Sequence, residues 1–162
     1  MIVTLILINC AASSAQDSPC SGGKYDLPSR LVGTWKEYTV TEKGEVLAGT
    51  LKSGFEVGGC VFSQRFLSAD GKLSFLSLGY IDPSTDSWHE TFVLSNGRVA
   101  SYRWRQSGDD IIIDRIGGDP RDMRRLRITN IKRDYYEVVE ERSSDEGKTW
   151  KQFELTRTRR EE

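Results

Sequence analysis

The sequence predicts an all-β fold, an up-and-down antiparallel β-barrel of about nine to ten strands. Three observations lead there. From Leu31 onward, short runs of β-branched and aromatic residues alternate with turn signals such as Asp70-Gly71 and Asn96-Gly97. The connections between the runs are short, which pairs each strand with the next. No stretch carries the clean 3.6-residue period of a long helix. An open meander of this size exposes an edge strand on each side; closure removes both, so a barrel is favoured over a sandwich.

The expected strands are Leu31–Thr41, Val61–Leu67, Lys72–Ile81, Ser87–Leu94, Arg98–Arg105, Asp110–Arg115, Arg124–Ile131, Tyr135–Glu141 and Trp150–Arg157, with a further one inside Glu45–Phe55. Turns fall at Ala69-Asp70-Gly71, Asp82-Pro83-Ser84, Ser95-Asn96-Gly97, Ser107-Gly108-Asp109 and Asp145-Glu146-Gly147. Gly117-Gly118-Asp119-Pro120 is read as the lead into one short helical turn. A chain of 162 residues suffices for one domain with a real core.

The start of the chain has a different character. Met1 to Ile8 is nearly all apolar, and Ala12-Ser13-Ser14-Ala15 offers small residues for cleavage. Residues 1–15 are therefore read as a signal peptide, residues 16–30 as a polar tail and residues 31–160 as the barrel domain. The apolar run is too short to span a bilayer, so no transmembrane span is expected in the mature chain. Export to the periplasm or cell exterior follows. A lipid anchor on Cys10 is disfavoured, because Asn9 stands where such signals want a small residue. Cleavage leaves Cys20 and Cys60, which in an oxidising compartment form one disulfide or remain two small buried hydrophobes.

Charge excludes one class of partner. Lys and Arg number 23 against 24 Asp and Glu, and no overall basic excess draws the chain to nucleic acid. The basic run Arg121, Arg124, Arg125, Arg127 is balanced by Asp119 and Asp122. Alternation sets Arg125 and Arg127 opposite Leu126 and Ile128, where they either face water or line a cavity for an anion. A single histidine, His89, supports neither a catalytic triad nor a zinc site, and no cofactor or metal is expected.

Leu31-Val32-Gly33-Thr34-Trp35 opens the first strand, and Gly33-Thr34-Trp35 resembles the Gly-x-Trp of lipocalin and calycin-type barrels. That resemblance implies a glycine that starts the strand tightly and a tryptophan that plugs the closed end beneath an arginine of the last strand. Arg157 and Arg159 are the candidates for that arginine. With the Gly58-Gly59 approach, the LGYIDPSTDSW segment holding Gly79, Tyr80, Asp82 and Trp88, and SSDEGKTW before a Phe-x-Leu strand, the region from Leu31 to Arg159 is similar to the DUF1579-like bacterial barrels. The resemblance implies a ten-stranded barrel and brings no settled ligand or reaction. Ser143-x-Asp145-x-Gly147-x-Thr149-Trp150 resembles the Asp-box hairpin, which assigns Asp145, Gly147 and Trp150 to a turn.

Function is read in three ways. A binding barrel holds a small apolar or amphipathic ligand, with Trp35, Phe62, Phe66, Phe75, Tyr102, Arg103 and Trp104 as candidates. Tyr102 and Trp104 lie opposite Arg103, so these residues do not all face inward. The alternatives are a structural or protein-interaction domain with a filled core, and a cavity enzyme, an isomerase or hydrolase using paired buried carboxylates.

Overall fold

The computed structural model describes residues 20–161. The expected signal peptide, including Cys10, lies outside the described residues. Ten strands follow in chain order: β1 (Gly33–Thr41), β2 (Gly44–Glu56), β3 (Val61–Ser68), β4 (Ser74–Asp82), β5 (Ser87–Leu94), β6 (Val99–Ser107), β7 (Asp110–Arg115), β8 (Met123–Thr129), β9 (Tyr135–Ser143) and β10 (Lys151–Arg160). Each pairs antiparallel with the next, and β10 pairs with β1, so the sheet closes on itself. Each strand has a neighbour on both sides, so the sheet has no edge strand. The stretch Glu45–Phe55, read as one further strand, is the longest of the ten.

Closure gives the barrel two poles. The connections after β1, β3, β5, β7 and β9 gather at the open pole. The remaining connections gather at the closed pole, together with the chain ahead of β1 and the end of β10. Gly117 to Pro120 does not enter a helix. Asp122 N–H donates to the Asp119 carbonyl at 2.9 Å, and the chain makes a single β-turn into β8. The Asp119 side chain caps that turn by accepting from Arg121 N–H at 2.8 Å, which competes with helix continuation.

Part of the segment read as a polar tail folds onto the closed pole. Gly23–Tyr25 forms a 3₁₀ turn and α1 (Asp26–Ser29) one turn of α-helix. Pro28 is buried, and Tyr25 and Leu27 pack against the core. Tyr25 meets the Trp88 ring edge-on at 5.5 Å, and Trp88 Nε1 donates to the Lys24 carbonyl at 2.7 Å. A disulfide joins Cys20 to Cys60, in the β2–β3 connection, and fixes this plug to the wall. Gly, Ser and Pro around these few apolar residues give the segment a loop-like composition, and only the barrel end beneath shows why they are there.

Above the plug lies the core: Leu31, Trp35, Phe62, Trp88, Trp104, Ile111 and Tyr136 are all buried. Trp35 plugs the closed pole, its Nε1 donating to the Leu31 carbonyl at 2.9 Å. The arginine over it is Arg160, with its guanidinium carbon 4.2 Å from the ring centroid, not Arg157 or Arg159. Parity explains the correction. Thr158 is fully buried inside, so Arg157 and Arg159 point outward, where both pair with Glu45 at 2.8 Å. Gly33 makes room for this stack, since a side chain there runs into the Arg160 guanidinium.

The Asp-box segment forms the predicted hairpin. Asp145 accepts from Thr149 N–H at 2.9 Å and from Thr149 Oγ1 at 2.6 Å. These bonds, with one from Ser143, hold its carboxyl down to about 2. Gly147 turns at φ 82°, and Trp150 Nε1 donates back to its carbonyl at 3.0 Å. Among the described residues no helix is long and apolar enough to cross a membrane.

Candidate functional site

The buried aromatics Trp35, Phe62, Trp88 and Trp104 pack in the closed half of the barrel. In the open half the inward side chains leave a cavity of about 170 Å³. Its wall is mostly apolar: Leu51, Phe75, Phe92, Ile113, Leu126, Ile128 and Val138. The polar members are Glu37, Gln64, Thr156 and the Tyr136 side chain. The interior is thus neither solid nor hollow throughout, which is why strand alternation alone left the question open.

Gly49 shapes the upper wall. It sits opposite Ser68 in the β2–β3 pair, and a Cβ there lies 2.6 Å from the Phe66 ring and meets the Leu67 carbonyl. The missing side chain lets Phe66 lie flat on Phe75, with centroids 5.2 Å apart and planes at 16°. Phe75 in turn packs on Phe92 at 5.1 Å, carrying the aromatic layer to the cavity wall.

Glu37 is the carboxyl of the cavity. Its Cα neighbour on β10 is Thr158, whose neighbour on β9 is Tyr136, so the three lie side by side across the sheet. No described residue donates a hydrogen bond to it. Burial, with a smaller contribution from the negative charge of Glu154, pushes its pKa up to about 7. Glu37 is therefore partly protonated near neutral pH, able to donate or accept within the cavity. Tyr136, edge-on to Trp35 at 4.8 Å, has its hydroxyl pKa pushed well up by burial and by the charge of Glu37.

A second carboxyl, Glu90, is fully buried and does not line the cavity. Trp104 Nε1 donates to its Oε2 at 2.8 Å and Ser77 Oγ to its Oε1 at 2.5 Å. Ser77 also lies 3.4 Å from Gln64 Oε1, and Gln64 Nε2 donates to Ser53 Oγ at 3.4 Å. One serine proton cannot serve two acceptors. A protonated Glu90 resolves this by donating to Ser77, which then donates to Gln64. Burial drives the same way and raises the Glu90 pKa to about 7 against the two hydrogen bonds that lower it. Of the two acids only Glu37 lines the cavity.

A recess of about 150 Å³ opens at the rim above short β7. It shares Leu126 with the cavity, and it is lined by Tyr102, Arg98, Arg115, Arg124, Arg125 and Glu140 together with small apolar groups. Arg124 therefore takes the inner face with Leu126. Arg125 and Arg127 bind Glu141 on the outer face at 2.6 and 3.4 Å, and Arg125 stacks on Trp150 at 4.0 Å.

The sequence-derived ligand candidates are thus divided. Phe75 lines the cavity, Phe66 backs it, and Tyr102 lines the recess. Trp35, Phe62 and Trp104 belong to the closed-pole core. Arg103 is exposed on the outer face, beside His89 and Asp114 on the neighbouring strands, and is removed from the candidates. Glu37, Glu90 and Phe92 were not singled out, although their spacing held the signal. Glu37 is two residues from Trp35, and Glu90 lies midway between Trp88 and Phe92, so each shares a face with large buried aromatics. No group of His, Cys, Asp and Glu among the described residues is placed to hold a metal ion. No protein-family model matches the chain, and no curated protein matches it.

Proposed function

We propose that the protein is a lipocalin-like binding barrel that holds a small, mainly apolar molecule in its open half. The observation that carries this reading is the cavity of about 170 Å³, apolar on most of its wall and supplied with one carboxyl, Glu37, that has no hydrogen-bond partner among the described residues. An apolar cavity of about 150 Å³ is large enough for a benzene-sized molecule. Burial of the ligand against Phe75, Phe92, Ile128 and Val138 supplies the affinity, and a hydrogen bond to Glu37 sets the orientation. The Trp35–Arg160 stack supports the lipocalin-like assignment. The disulfide supports work in an oxidising compartment, outside the cytoplasm.

Native mass spectrometry of the protein from its own source tests the reading. A discrete excess mass of a small molecule is expected, and it disappears in Phe92→Trp, which fills the cavity. The bare polypeptide mass, together with no saturable binding across a screen of short-chain lipids and metabolites, overturns it in favour of an interaction domain.

A further inference from the structure

The rim recess holds cations that the fold leaves unused. Among the described residues neither the Arg98 nor the Arg115 side chain has a carboxylate within ion-pair distance. Arg124 reaches Asp122 through Nη2 at 3.2 Å and Glu140 through Nη1 at 3.8 Å, while its buried Nε has no partner. A buried donor without an acceptor is costly, and native proteins rarely keep one without a use. Glu140, the one carboxylate in the recess, is already taken by Arg142, which bonds its Oε1 through Nε and Nη2, each at 3.1 Å. The recess is therefore net positive. The Tyr102 hydroxyl adds a neutral donor, and its pKa is raised by burial. On its inner side Leu126 alone is shared with the apolar cavity.

We propose that the recess is an anion site and that the barrel's ligand is an amphipathic acid, its acidic group among Arg98, Arg115 and Arg124 and its apolar part passing Leu126 into the cavity. This rests on the binding-barrel reading and adds the chemical class of the ligand. Guanidinium groups suit the task because they remain charged at any physiological pH and meet a carboxylate through two parallel N–H bonds. Burying the tail while the acid stays at the mouth avoids bringing a charge into the barrel, where a carboxylate is disfavoured, as Glu37 shows.

Calorimetric titration of the whole protein with straight-chain carboxylates from butanoate to octanoate, and with the matching primary alcohols, tests the inference. The alcohols report on the cavity alone. Carboxylates are expected to bind about tenfold or more tighter than alcohols of equal length. Arg98→Ala with Arg115→Ala removes that advantage and leaves alcohol binding unchanged; neither side chain has an ion-pair partner to lose among the described residues, so the fold is preserved. Arg124→Gln acts in the same direction. Equal binding of acids and alcohols, insensitive to the arginine changes, overturns the anion site and leaves the cavity reading standing. Arginine-dependent binding of acids with no dependence on chain length overturns the passage into the cavity. Binding of neither series overturns the cavity reading and this inference with it.

Discussion

Arg160 lies over the Trp35 ring at 4.2 Å and donates from Nη2 to the Val32 carbonyl at 3.0 Å and from Nε to the Arg133 carbonyl at 2.9 Å. One side chain thus joins the first strand, the last strand and the β8–β9 connection. Arg160→Ala is expected to lower the unfolding free energy by about 1–2 kcal/mol, from the lost cation–π contact and hydrogen bonds. Arg157→Ala and Arg159→Ala, which break exposed pairs with Glu45, are expected to cost about 0–1 kcal/mol each. Urea unfolding of the three variants checks the order; equal losses contradict the assignment of Arg160.

Glu90 makes stability depend on pH. The folded protein keeps the proton up to about 7, whereas a free glutamate releases it near 4.5. Between these values the folded state binds more protons than the unfolded chain. Stability therefore falls as pH rises from 4.5 through about 7, and the contribution is level above that. At about 1.4 kcal/mol per unit the loss is on the order of 3 kcal/mol. Glu90→Gln stays neutral throughout, so its urea midpoint is expected to drop less than that of the unmodified protein between acid and mildly alkaline buffer. Glu37→Gln acts in the same direction. An undiminished drop in Glu90→Gln removes Glu90 as the cause.

Gly49→Ala places a methyl group against the Phe66 ring and the Leu67 carbonyl. Neither gives way without disturbing the aromatic layer, so a loss of about 1–3 kcal/mol is expected. Near-native stability together with an unmoved Phe66 ring in a crystal structure of the variant contradicts the packing described for this wall.

The disulfide closes a chain separation of 40 residues. Constraint of the unfolded chain over a loop of this size contributes about 2–4 kcal/mol. Cys20→Ser is expected to lose that amount and to loosen the plug. The Trp88 indole bond to Lys24 weakens with it, which tryptophan fluorescence reads as a shift to longer wavelength.

The barrel was legible because its local signals agree: alternation, turn chemistry and short connections all point to sequential antiparallel strands. What remained hidden depends on closure. Choosing Arg160 over Arg157 and Arg159 needs the register of β10 on β1, two strands at opposite ends of the chain. Alternation separates Arg103 from Tyr102 and Trp104 without naming the inner face. Glu37 and Glu90 read as surface acids until their strands are seen to carry aromatics inward at the same parity. The plug around Tyr25 and Leu27 is invisible until there is a barrel end for it to cover.

The disulfide also fixes where the described chain enters. Cys20 is tethered at the closed pole, and Glu161 N–H donates to the Thr34 carbonyl at 2.8 Å at that same pole. An affinity tag, a dye or a sensor chip attached ahead of Cys20 or after Glu161 therefore hangs from the side away from the mouth. Immobilised through either attachment, the barrel presents Arg98, Arg115 and the cavity behind them to the flowing solution.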